Sequence, residues 1–235
     1  MLGVVGAIRH GAATIQREPG VWNPQETGGL GGHLAEVTER SRIALDHVTE
    51  ALSDPGPFAE DALAAAEKAL YALRRAVDDQ ALAIEETRDG SPAATVRAIL
   101  VAALVNADAE CVEGLAERLA GIARSRPARP AIPADVHAVV SRMGRVCVDM
   151  MATAGRAGTT PPADTEARIE AADADVRRLR QRLDHLLLHA SDPIDADAAL
   201  DASLACRYYT HCTELAVSMA RHAMLGAHSS GRARQ

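Results

Sequence analysis

Aromatic residues are nearly missing from this chain. One tryptophan, one phenylalanine and three tyrosines make up 2% of 235 residues. Strands draw on β-branched and aromatic side chains, whereas alanine is the strongest helix former, so an alanine-rich chain this poor in rings points to helices. Basic excess is missing too. Lys and Arg number 25 against 32 Asp and Glu, a net charge of −7, and without a basic face no nucleic-acid partner is expected. No apolar run reaches the length of a membrane helix, so no membrane insertion is expected. The opening stretch MLGVVGAIRH has a short apolar run with no basic segment ahead of it, which argues against a signal peptide. Cys111, Cys147, Cys206 and Cys212 include no CxxC pair, and a chain of this length needs no disulfide. Free thiols and a cytoplasmic location follow as expectations. No nucleophile–base set and no glycine loop suited to a phosphate stand out.

What is present is helical periodicity. Residues 1–32 show none and end in ETGGLGG, which reads as a flexible leader. From His33 apolar residues recur at helical steps: Leu34, Val37, Leu45, Val48 and Leu52, stopped by SDPGP. A second stripe, Leu63, Ala66, Leu70, Leu73 and Val77, runs to about Thr87. RDGSPAAT then offers Gly90 past one helix end, Ser91 as an N-cap and Pro92 as a first helical residue. A third helix carries Val96, Ile99, Ala103, Leu115, Leu119 and Ile122. SRPARPAIPAD holds three prolines and reads as a linker over 126–133. Three further helices follow, on Val136 to Ala154, on Ile169 to Leu186, and on Leu200, Leu204, Tyr208, Leu215 and Met219; residues 227–235 read as a flexible tail.

The halves echo each other. EKALYAL at 67–73 and DADVRRL at 173–179 both set an acid before apolar residues at +3 and +6, and proline breaks precede the third and sixth helices. The expected fold is all-α: two tandem three-helix bundles, 33–125 and 134–226, joined by the linker.

Three segments carry a family resemblance. PADVHAVVSRMGRVCVDMMATA, RAILVAALVNADAECVEGLAERLAGIAR and CRYYTHCTELAVSMAR resemble, respectively, the opening helix of the second repeat, the third helix of the first repeat and the closing helix of PhoU, the helical regulator of bacterial phosphate uptake. The resemblance spans residues 33–226. It implies a non-enzymatic regulator that restrains the phosphate-starvation response by protein–protein contact. The implied partners are a sensor histidine kinase and the ATPase of the phosphate ABC transporter, and a homodimer is compatible with the family.

It also implies a metal face that this chain has partly lost. In the family the third helix of each repeat carries two acids four residues apart, which share a helix face and can approach one hard cation. Here Glu110 is followed by Gly114, and Thr210 precedes Glu214, with Leu215 where a histidine usually stands. Glu110 and Glu214, helped by Glu67 and Asp173 on the second helices, remain weak candidates for a residual divalent metal; no other cofactor is expected.

Bland readings compete elsewhere. Cys111, His211 and Cys212 invite a soft metal, but they need not converge, and the thiols fit as small core residues. His185 and His189 have zinc-helix spacing without a third ligand. Arg177, Arg178, Arg180 and Arg182 suggest a small helical enzyme that grips carboxylate substrates, yet they do not share one face; a convergent arginine–carboxylate pocket would favour that alternative. A divergent adaptor for another kinase or transporter is the other alternative. Tyr208 falls on the apolar stripe and is expected in the core, leaving Tyr209 for a partner surface.

Overall fold

The computed structural model describes residues 30–53, 59–78, 92–160, 162–190 and 193–232. Within them lie six α-helices: α1 (Leu30–Ser53), α2 (Ala59–Asp78), α3 (Pro92–Ser125), α4 (Ala134–Arg156), α5 (Pro162–Leu188) and α6 (Ala196–Arg232). A short 3-10 turn, Arg126–Ala128, starts the linker. The all-α expectation holds. The proline-rich stretch ends each neighbouring helix where it should, and α3 opens on Pro92, whose missing N–H has no helical partner to lose at that position. The leader's last residues already belong to α1, and α6 continues to Arg232, beyond the expected end at 226. The proposed caps Gly90 and Ser91, the SDPGP stop, residues 79–87 and most of the leader lie outside the described residues.

In each half the three helices pack on one another, α1 with α2 and α3, and α4 with α5 and α6. The halves then share one core. α1 packs on α4, α3 packs on α6, and α1 also touches α6, so α2 and α5 become outer flanks. The pairings show direction. Thr49 meets Gly144 while Thr38 meets Gly155, so α1 and α4 run antiparallel. Val101 meets Gly226 while Asp108 meets His222, so α3 and α6 do as well.

Burial repeats in register. In α3 and α6, Val101, Val105, Ala109, Val112, Ala116 and Leu119 are buried, as are Asp201, Ala205, Tyr209, Cys212, Ala216 and Met219, each one hundred residues on. In α1 and α4, Val37, Leu45, Val48 and Leu52 match Val139, Cys147, Met150 and Ala154. In that register Glu110 corresponds to Thr210.

Two faces differ from the sequence reading. On α3, Val96 and Ile99 are exposed, at 65% and 41%, and Ala103 is exposed as well, while Val101, Ala102 and Val105 are buried. On α6, Leu200 is exposed and the buried line runs through Ala198, Ala202, Ala205 and Tyr209. Both helices contribute to the central seam, where close backbone approach selects small side chains. Alanine occupies inner and outer faces alike in this chain, so the larger apolar residues alone do not mark the core.

The seam is closest around Gly144. A Cβ there would sit 2.5 Å from Thr49 Cγ2 and 3.1 Å from Tyr209 Cζ. Tyr209 is fully buried and its hydroxyl lies 3.0 Å from Thr49 Oγ1. Thr49 donates its own proton to the Leu45 carbonyl at 2.7 Å, so the tyrosine is the donor in that pair. The roles expected of the two tyrosines are therefore exchanged: Tyr209 is core, and Tyr208 is half-buried at a groove.

The linker is tied down. Asp201 is 2% exposed and accepts from Arg129 at 2.5 Å, with Arg126 at 3.7 Å.

Candidate functional site

On the first half, α2 and α3 run antiparallel and their facing charges are already matched. Arg124 donates to Glu67 at 2.9 Å, and Arg74 reaches both Glu113 and Glu117. Glu67, Tyr71, Arg74 and Glu117 line a shallow groove of about 410 Å³. Glu110 is exposed on α3, and a Cβ at Gly114 would meet nothing within 4 Å. On the second half, Thr210 gives its hydroxyl proton to the Cys206 carbonyl at 2.8 Å. Asp173 is exposed, and its backbone carbonyl accepts from Arg177. Among the described residues no three His, Cys, Asp or Glu side chains converge as metal ligands would.

A hard-cation centre needs several carboxylate oxygens turned to one point. This donor set does not fit one: Glu67 is held by an arginine, Gly114 has no side chain, and Thr210 spends its proton on its own helix. Cys111 and His211 are exposed and Cys212 is buried, so the soft-metal trio does not come together either. A hydrogen bond with Cys147, followed by burial, pushes the Cys212 thiol up, and burial pushes Cys206 up to about 12. These thiols are protonated and unreactive at neutral pH. His185 and His189 stack on each other, ring centres 4.7 Å apart, on the exposed end of α5.

Glu214 has a different setting. It lines a groove of about 690 Å³ between α5 and α6, with Leu115 and Arg118 of α3 completing the wall. Arg180, Arg207 and Asp184 also line it. Arg118 lies over the Tyr208 ring, 5.9 Å from its centre, a cation–π distance. Thr210 and His211 complete the polar lining. The sequence singled out Glu214 and Arg180 but not their meeting, and it missed Arg118 and Arg207. Three helices from both halves supply these residues, so spacing along the chain carries no sign of the cluster.

Comparison with known proteins bears on the whole chain. A curated relative from Mycobacterium tuberculosis, named phosphate-specific transport system accessory protein PhoU homolog 2, is 25% identical over 198 residues, covering 84% of this chain and 92% of the relative. The chain is PhoU-like. The namesake protein of Mycobacterium bovis matches to the same extent. PhoU homolog 1 of Mycobacterium leprae is 26% identical over 202 residues, covering 86% of this chain and 90% of the relative. No protein-family model matches. The PhoU-like similarity thus runs through both halves, and these relatives are named as transport accessory proteins. No helix among the described residues is long and apolar enough to cross a membrane.

Proposed function

We propose that this protein is a non-enzymatic regulator of phosphate uptake that works by contact with other proteins. The reading is carried by one observation: similarity to phosphate-transport accessory proteins that extends over most of both chains. On this reading it acts in the cytoplasm, at the inner face of the membrane, between the ATPase of a phosphate ABC transporter and a sensor histidine kinase. By binding one state of such a partner better than the other, it would bias the kinase toward its resting state when phosphate is plentiful. A homodimer is part of the same proposal. Deleting the gene should raise expression of phosphate-uptake genes in phosphate-rich medium, read by transcript abundance. Unchanged expression in a strain with no intact paralogue would turn the reading toward an adaptor for a different kinase or transporter, and a pull-down that recovered the transporter ATPase would restore it.

A small helical enzyme is a second reading, favoured by the groove in which arginines and carboxylates meet. It requires turnover of a bound small molecule, and mass-spectrometric profiling of a metabolite extract incubated with the purified chain checks that. A product that forms with the wild type and not with Glu214→Gln would replace the regulator reading.

A further inference from the structure

The groove beside Tyr208 has the chemistry of an anion site. Arg118, Arg180 and Arg207 come from α3, α5 and α6 and line the same space. Among the described residues none of the three forms an ion pair, although arginines elsewhere, such as Arg124 and Arg129, are matched to carboxylates. Three unmatched guanidiniums against Asp184 and Glu214 leave the lining one positive charge in excess, in a chain that is acidic as a whole.

We propose that this groove binds a small organic phosphate. A phosphate monoester carries close to two negative charges and presents three acceptor oxygens in a tetrahedral spread. A carboxylate presents two oxygens in one plane. Guanidiniums approaching from three separate helices match the first shape, and each can donate two parallel hydrogen bonds to it. The carboxylates define the other end of the ligand. Asp184 and Glu214 repel a bare anion but accept hydrogen bonds from hydroxyl or amino groups, so the ligand carries such donors beside its phosphate. The groove volume of about 690 Å³ suits a small molecule rather than an inorganic ion alone. Leu115, Leu183 and Leu204 give its carbon skeleton apolar wall, and the Arg118–Tyr208 stack holds one guanidinium in place before the ligand arrives.

The inference stands apart from the identity of any protein partner. Calorimetric titration of the intact chain at low ionic strength with inorganic phosphate, glycerol phosphate, adenosine monophosphate and succinate tests it. At least one of the two esters should bind, tighter than inorganic phosphate and tighter than succinate. Arg180→Gln with Arg207→Gln should weaken that ester at least tenfold, with the helical circular dichroism unchanged because both side chains are exposed. Arg118→Gln should weaken it as an independent variant, and Glu214→Gln should shrink the ester's advantage over inorganic phosphate. The proposal is overturned if neither ester binds, if succinate binds as tightly as the better ester, or if the arginine variants bind as the wild type does.

Discussion

At the scale of single residues, the two adjacent tyrosines are chemically distinct. Tyr209 donates a buried hydrogen bond to Thr49, so Tyr209→Phe leaves an acceptor without its donor in the core. A loss of about 1 kcal/mol is expected, against less than about 0.5 kcal/mol for Tyr208→Phe, both read by urea denaturation. Buried acids of weak strength give a second prediction. Cys206 keeps its proton up to about 12 in the fold, against 9.0 for an ordinary thiol, and Tyr209 and Cys212 are shifted in the same direction by burial and by the Cys147 hydrogen bond. Above pH 9 the unfolded chain releases protons that the folded chain retains. Stability contributed by Cys206 is therefore whole below pH 9 and lost as pH rises toward 12, at about 1.4 kcal/mol per pH unit for each such group. Thermal unfolding across that window should show the decline, and Cys206→Ala should make it shallower. None of this was readable from the letters RYY. Which of two neighbours points inward depends on the helix phase, and the apolar residues on either side of the pair fitted both phases.

At the scale of elements, two mid-helix glycines should respond oppositely to the same substitution. Gly114 on α3 has open space where a Cβ would go, so Gly114→Ala should add up to about 1 kcal/mol by removing backbone freedom from the unfolded chain. Gly144 on α4 is pressed against Thr49 and Tyr209, and Gly144→Ala should cost about 1–3 kcal/mol through overpacking. Comparative denaturation of the two variants checks the pair. Open space at Gly114 also bears on the metal face. The wild type should hold much less than one iron, zinc or manganese per chain after chelation and reloading, and Gly114→Asp with Thr210→Glu should raise that content, measured by elemental analysis. Stoichiometric metal in the wild type would show that Glu110, Glu214, Glu67 and Asp173 suffice. Helix ends were legible where prolines stand, at Pro92 and from Arg126 to Pro133, because proline acts locally. Helix faces were legible on α4, where valine and methionine line one side, and misread on α3, where apolar side chains occupy two sides.

At the scale of the molecule, the two halves are bound by more than a linker. Asp201 occupies the place that Val101 holds in the other half, and it anchors Arg126 and Arg129 of the connecting segment to the start of α6. Asp201→Ala leaves two guanidiniums without their carboxylate and should cost about 3 kcal/mol, seen as an earlier but still single unfolding transition. A single transition is expected because α1, α3, α4 and α6 share one core, so neither half can melt and leave the other's surface covered. EKALYAL and DADVRRL suggest a duplication, and the buried positions of α3 and α6 repeat at one hundred residues; the groove was not legible, since its arginines are distant in sequence. The antiparallel seam has one more consequence. Each half presents to the other a face with the same buried register, so residues 30–125 produced alone would expose an apolar surface whose natural complement repeats its own buried spacing. Sedimentation of that fragment should show a pair rather than a monomer. The chain is then, in symmetry terms, a pseudo-twofold pair of halves joined by a linker, one lining the seam with valines and the other with a tyrosine and a buried aspartate.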